Sequence, residues 1–332
     1  MSGSPFSRPA PAIDAGFLND RHVPLRKYAQ YYVSLRDGSD AYLRSHLSFV
    51  QRLEEFVGRE VLLDDLSEDL ANAFLESIQE TNSPSTRSWK RKAFLRLWKH
   101  AASNRGLAHP PPHPDRDRVR VVKRRGVPPR AWSVEQVQQM LGAVDDMAGH
   151  YGWQRDGNLI VRRLYWRSYI MAAWSLGWRR CDLLMLQYES IPPDGKVVIS
   201  QHKTGKVLYA CLNPQALDAV REFWTIGTVD RETLQPVTPD RREVWPPLGN
   251  RSTWGKISGA VLRRAGLTGG MRRIRASAGT NVELINPGKG HHFLGNTQEV
   301  FFKHYFDRTL AADLPQPVDL ESDEWEYLQA PK

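Results

Sequence analysis

Four prolines fall within six residues in His109-Pro110-Pro111-Pro112-His113-Pro114. Proline lacks an amide N–H and its ring clashes with the preceding turn, so no helix runs through such a segment. The break splits a chain of 332 residues into two stretches. Each is long enough to bury a core of its own, which predicts two domains. Before the break, Leu43, Leu47, Val50, Leu53 and Phe56 recur at three- and four-residue spacing, the mark of one helix face. Ser39 or Asp40 can cap that helix and Gly58 can end it. Ser67 opens a second helix with the stripe Leu70, Phe74 and Ile78. Ser83-Pro84 opens a third over Ser85–Ala101, with proline in the first turn.

Beyond the break, Ser133 caps a helix with the stripe Val134, Val137 and Leu141. Arg162–Leu176 reads as a buried aromatic-rich helix. The period then changes to two at Val197–Ser200 and Val207–Leu212, two strands around the turn His202–Lys206. Leu186–Ser190 is a candidate third strand. Helices return over Trp254–Gly266, Met271–Leu284 and Gln298–Thr309. The expected fold class is mainly α, with one small antiparallel sheet in the second domain. The expected organisation is an arm over 1–24, a helical domain over 25–109, a basic proline-rich linker over 110–132, a mostly helical domain over 133–310, and an acidic tail over 311–332.

Charge narrows the function. Lys and Arg exceed Asp and Glu by 46 to 37, a net of +9. The linker stretch 116–130 alone holds seven cations and one acid. Arg87, Lys90, Arg91, Lys92, Arg96 and Lys99 alternate with Trp89, Phe94, Leu97 and Trp98 on the third helix. One reading of that helix is a solvated basic face. The other is a surface for the phosphates of DNA, with Arg87, Lys90, Arg91, Lys123, Arg124 and Arg125 as contacts. The linker is either a strap across the same polyanion or a soluble tether. The two cysteines exclude a disulfide scaffold and fit a reducing compartment. No apolar run is long enough to span a bilayer. The N-terminus lacks the apolar region of an export signal, so a cytoplasmic, nucleoid-associated protein is expected.

No phosphate-binding glycine loop, zinc spacing or calcium loop occurs, so phosphoryl chemistry here would use side-chain cations rather than a metal. Three places offer them. Arg179-Arg180 follows Gly177 at the opening of a helix. Lys203 and Lys206 occupy a hairpin tip, where lysines also occur simply for solubility. Arg272-Arg273-Ile274-Arg275 opens another helix, followed by Leu294-Gly295-Asn296 and then Tyr305.

The order and spacing of these elements resemble the tyrosine recombinase (phage integrase) family over residues 25–310. Ser175–Leu184 resembles its T-G-x-R-x-x-E-L box, with Arg179 as the first arginine and Asp182 in place of glutamate. Lys203 matches the hairpin lysine, Arg275 the arginine of H-x-x-R, and Leu294-Gly295-Asn296 the L-G-H box. Tyr305 stands nine residues after Asn296, the family spacing to the nucleophile. Arg272 replaces the histidine of H-x-x-R, and Asn296 the histidine of L-G-H.

The resemblance implies a helical core-binding (SAM-like) bundle followed by a catalytic domain. It implies a site-specific recombinase or integrase that cleaves and rejoins double-stranded DNA through a 3′-phosphotyrosyl intermediate, without metal, ATP or other cofactor. Tyr305 would be the nucleophile. Arg179, Arg275 and Arg272 would hold the phosphate, Asn296 would donate through its amide, and Lys203 would be the general acid. Arginine cannot serve as a base at neutral pH, so the proton path is altered where Arg272 replaces histidine. A DNA-binding protein with weakened chemistry and a topoisomerase IB-like strand relaxer are the alternatives. Partners implied are duplex DNA and further copies in a synaptic tetramer, with accessory proteins open and no membrane. The tail, with six acids around Leu314, Trp325 and Tyr327, either docks on a basic protein surface or stays disordered.

Overall fold

The computed structural model describes residues 15–36, 39–123, 128–152, 157–202 and 204–310. The chain forms two compact units, 1–126 and 127–332.

The N-terminal unit is a helical bundle of α1 (Leu25–Ser34), α2 (Asp40–Val57), α3 (Glu68–Ser77) and α4 (Pro84–Ala102), preceded by a 3-10 turn at Ala15–Asn19. Local chemistry fixes its helix ends. The Ser39 side chain accepts the N–H of Tyr42, and Gly58 closes α2 at φ 80°. Ser83 caps α4 ahead of Pro84. The core holds Tyr28, Tyr32, Phe49, Phe74, Leu97 and Trp98.

Two expectations are corrected in this unit. Residues 15–24, expected as part of an arm, are packed: Leu18 and Val23 are core residues, and the Leu63 N–H donates to Val23 O at 2.9 Å. The rest of that arm, 1–14, lies outside the described residues. The segment expected as a free linker from residue 110 begins as part of the bundle. Trp98 Nε1–H donates to Pro112 O at 2.7 Å, and Val119 is wholly buried. Apolar burial explains both, since Leu18, Val23 and Val119 each leave water on closing the core.

The C-terminal unit is built around α6 (Arg162–Leu176), whose range is as the sequence predicts. Tyr165, Trp166 and Tyr169 on α6 meet Trp245 and Trp254 in an aromatic cluster. Buried ring polar atoms find partners: Trp245 Nε1–H donates to Ser168 Oγ at 2.9 Å, and the Tyr165 hydroxyl to Pro246 O at 3.2 Å. α5 (Val134–Asp145) opens the unit with the predicted Ser133 cap. β1 (His150–Gly152), β2 (Leu159–Val161) and, later, β5 (Thr228–Val229) form an antiparallel three-stranded sheet. α7 (Arg180–Leu183) follows α6.

β3 (Lys196–Ser200) and β4 (Val207–Cys211) form the predicted hairpin, with Val198 opposite Tyr209. α8 (Pro214–Ile226), α9 (Arg251–Arg264), α10 (Arg273–Ile285), α11 (Gly290–Phe293) and α12 (Gln298–His304) complete the unit. The fold is mainly helical, as expected, but among the described residues it carries two small sheets rather than one. The strand expected at Leu186–Ser190 is corrected: Tyr188–Ser190 is a 3-10 turn, with only a single bridge from Gln187 to Glu243. The tail, 311–332, lies outside the described residues.

Candidate active site

The site forms where α7, α10 and the end of α12 converge. Gly177 ends α6 in the left-handed region at φ 60°. A Cβ there would collide with Phe293 and Leu294, so only glycine lets α11 approach. The carbonyl of Gly177 and that of Leu294 both accept from Arg275, the latter at 2.7 Å. Gly279, one helical turn beyond Arg275, serves the same approach: a Cβ there would stand 2.7 Å from Leu294.

Arg275 is therefore pinned between two backbone oxygens and is only 4 % exposed. Its guanidinium carbon lies 5.1 Å from the ring centroid of Tyr305. Burial pulls the guanidinium below its ordinary pKa; Tyr305 opposes the shift, Arg179 adds to it, and Asp182 opposes it.

Arg179 stands immediately before α7. Its Nη1 lies 3.8 Å from Asp182 Oδ2 and has no hydrogen-bond acceptor. Asp182 is wholly buried. Its Oδ1 accepts the N–H of His202 at 3.0 Å, which ties α7 to the tip of the β3–β4 hairpin. Gln201 closes that tip, accepting the Thr204 hydroxyl at 2.7 Å. Lys203 itself lies outside the described residues.

Tyr305 is half-buried at the end of α12. Its backbone is clamped to α10: Thr280 Oγ1 donates to Tyr305 O at 3.1 Å and accepts the Asp307 N–H at 3.1 Å. The Asp307 carboxylate in turn accepts the Ala131 N–H at 2.8 Å. Thr280 and Asp307 were not singled out from the sequence. A lone threonine and a lone aspartate carry no local signal, because their partners are remote in the chain.

The other predicted residues are placed less centrally. Arg272 is exposed at the opening of α10, three residues before Arg275. Asn296 is half-buried; its Nδ2 is buried and has no acceptor. Its N–H donates to His291 O at 2.9 Å. Arg87, Lys90 and Arg91 lie in the N-terminal unit. The expectation of six cations on one open face of α4 is corrected there. Lys90 is 8 % exposed and sits 5.5 Å from the Phe74 ring centroid, so burial lowers its pKa. Arg91 donates to Val119 O at 2.8 Å and Arg116 O at 3.0 Å. Lys92, Arg96 and Lys99 are the exposed members, and Arg87 is half-buried. Lys123 is exposed; Arg124 and Arg125 lie outside the described residues.

No family model matches the sequence, and no curated protein matches it. Solved structures do match its fold. The chain is similar to lambda integrase, solved as a dimer bound to a COC′ core site, at 16% identity and a TM-score of 0.63, over 91% of this chain and 82% of that one. It is similar to XerH site-specific recombinase in a post-cleavage complex at 14% identity and a TM-score of 0.61, over 86% and 82%. A similar match is the Tn1549 transposon integrase with a circular intermediate DNA, at 12% identity and a TM-score of 0.57, over 86% and 95%. The chain has the fold of the tyrosine recombinases. Among the described residues, no helix is long and apolar enough to cross a membrane.

Proposed function

We propose that the protein is a site-specific DNA recombinase of the tyrosine type. The observation that carries this reading is the buried guanidinium of Arg275, 5.1 Å from the ring centroid of Tyr305, with Arg179 near enough to Arg275 to act on its charge. Two guanidinium groups offer planar, permanently charged donors suited to phosphate oxygens. A tyrosine held beside Arg275 is suited to attack a phosphate bound by such cations. Arg179 Nη1, Arg275 Nε and Asn296 Nδ2 are buried donors without an acceptor, which fits an anion binding among them.

In the proposed step, Tyr305 Oη attacks a backbone phosphorus. The Oη–P bond forms, the P–O5′ bond breaks, and the 3′-phosphate remains on the tyrosine. The tyrosine gives up its proton, and the leaving 5′-oxygen gains one, for which Lys203 is the proposed donor. Arg179 and Arg275 hold the non-bridging oxygens as charge builds in the transition state. The phosphoester is retained in the tyrosyl bond, so a second 5′-hydroxyl can reverse the step on the same or another strand. Duplex DNA is the proposed substrate. Self-association on it is proposed by likeness to lambda integrase, which is solved as a dimer on its core site.

A second reading, a DNA-binding protein with weak chemistry, is favoured by one observation. Arg272, at the position of the family's histidine, is exposed and cannot act as a base. A nicked suicide duplex separates the two. Trapping of a covalent protein–DNA adduct by the natural chain, but not by Tyr305→Phe, supports the recombinase. Failure of the natural chain to form an adduct supports the second reading.

A further inference from the structure

The chain enters the C-terminal unit against the segment that carries Tyr305. Ala131 and Trp132 stand just ahead of the Ser133 cap of α5, and each gives its backbone N–H to a side chain remote in sequence. The Ala131 N–H donates to Asp307 Oδ2 at 2.8 Å, and the Trp132 N–H to Ser277 Oγ at 2.7 Å. Ser277 lies on α10 between Arg275 and Thr280, and its hydroxyl donates to Arg273 O at 3.0 Å. The Trp132 side chain is 3 % exposed and belongs to the core around α6. That anchor fixes the direction of both N–H groups.

Asp307 joins this entry segment to Tyr305. Its residue is 5 % exposed. While Oδ2 takes the Ala131 N–H, Oδ1 accepts the Thr309 N–H at 3.1 Å and the Thr309 hydroxyl at 2.7 Å. One oxygen thus closes the 3-10 turn Arg308–Leu310, and the other reaches the start of the unit. The Asp307 N–H is held by Thr280 Oγ1, the same atom that donates to Tyr305 O. Tyr305 stands where α12 stops. Its N–H still donates to Phe301 O at 2.8 Å, whereas its carbonyl relies on Thr280 and the turn beyond it on Asp307. A buried carboxylate is tolerated because each oxygen has a donor; taking one donor away leaves a costly unmatched charge.

We propose that Asp307 is a positioning residue for Tyr305, and that it holds the nucleophile in place only while Ala131 and Trp132 are docked. The chain entering the unit thereby governs strand cleavage. The role of Tyr305 rests on the proposed function; the coupling of the two segments does not. Undocking residues 131–132 leaves Oδ2 buried without a donor, and the carboxylate turns toward water to regain one. That turn withdraws the bonds to Thr309 and loosens the Thr280 bridge to Tyr305. In-line attack depends on the nucleophile's placement to within about 1 Å, so a loosened Tyr305 reacts slowly.

The test uses the full chain in single-turnover cleavage of a nicked suicide duplex, with duplex affinity read separately in the Tyr305→Phe background. Asp307→Ala is expected to slow adduct formation by about 10²-fold with affinity unchanged. Asp307→Asn is expected to recover most of the rate. Its carboxamide oxygen can accept the Ala131 N–H while its amide donates to the Thr309 hydroxyl. Ser277→Ala frees the Trp132 N–H, and the hydrogen bonds it removes run to Trp132 and Arg273 rather than to Asp307 or Tyr305. It is expected to slow cleavage about 10-fold, and to add nothing in the Asp307→Ala background, because both changes act on one contact. A full rate in Ser277→Ala, or losses that multiply in the double variant, overturns the coupling. If Asp307→Ala does not fold, Ser277→Ala still decides the matter. Amide hydrogen exchange on DNA-free protein reads the coupling without chemistry: Ser277→Ala is expected to speed exchange over 305–310 as well as over 131–133. Faster exchange confined to 131–133 overturns the proposal. A response at 305–310 together with no adduct from the natural chain upholds the coupling and removes only the strand-cleavage reading.

Discussion

The guanidinium of Arg275 lies over the ring of Tyr305, its carbon 5.1 Å from the ring centroid. Two backbone carbonyls, of Gly177 and Leu294, hold that guanidinium from α6 and from the end of α11. Arg275 thus has two linked tasks, joining three helices and presenting charge to the tyrosine.

Arg275→Lys tests both tasks. Lysine retains a charge but cannot donate in two fixed directions while facing a third group. Adduct formation on a suicide substrate is expected to slow by about 10²–10³, the usual cost of losing one preorganised donor. Stability should fall by about 1–3 kcal/mol, because a buried carbonyl loses its partner. A normal cleavage rate would remove Arg275 from the site.

Gly177→Ala tests the approach of α11. Placing alanine at φ 60° costs about 1–2 kcal/mol in backbone strain. Its Cβ also collides with Phe293 and Leu294, so the Leu294 carbonyl must move away from Arg275. Denaturant unfolding should show the loss, and cleavage should slow with it. Gly58→Ala, at φ 80° with open space around its Cβ, is the control: strain alone, with cleavage unaffected.

Asp182→Ala removes the acceptor for the His202 N–H and the carboxylate beside Arg179. The hairpin tip is expected to become more sensitive to limited proteolysis at Lys206, and adduct formation to slow. Asp182→Asn keeps an acceptor for His202 while losing the charge, so it should protect the tip and still impair cleavage. Equal proteolysis of all three proteins would show that the carboxylate does not hold the hairpin.

Stability should fall as pH is lowered from 7 to 5, through two histidines of the N-terminal bundle. Burial lowers the pKa of His46, and burial with Arg36 nearby lowers that of His100. The unfolded chain therefore binds more protons than the folded one in this range, and the stability present above the ordinary histidine pKa is lost on acidification. His46 is wholly buried; its Nδ1–H donates to Tyr42 O at 3.0 Å, and its Nε2 has no partner. Thermal unfolding across this range checks the effect, and His46→Leu should flatten the pH slope. A slope unchanged by that substitution would assign the acid loss elsewhere.

Much of this architecture is local and was legible in the sequence. Ser39, Gly58, Ser83-Pro84 and Ser133 set helix ends because caps act within one turn of their own position. The period-three-and-four stripes and the alternation over the hairpin gave helices and strands their faces. Arg179, Arg275 and Tyr305 were nameable from the order of short motifs. Tertiary structure decided which of them meet. Arg275 reaches carbonyls 98 and 19 residues away along the chain, and Asp182 reaches a hairpin 20 residues on. Such pairings follow from how helices pack around the aromatic core of α6, which no local pattern encodes. Lys90 shows the same limit from the other side. Its neighbours are cations and its helix is basic, yet the side chain falls on the packed face against Phe74, where its long apolar stem is buried. Composition determined that a polyanion suits this chain; only packing decided which of its cations are free to face one.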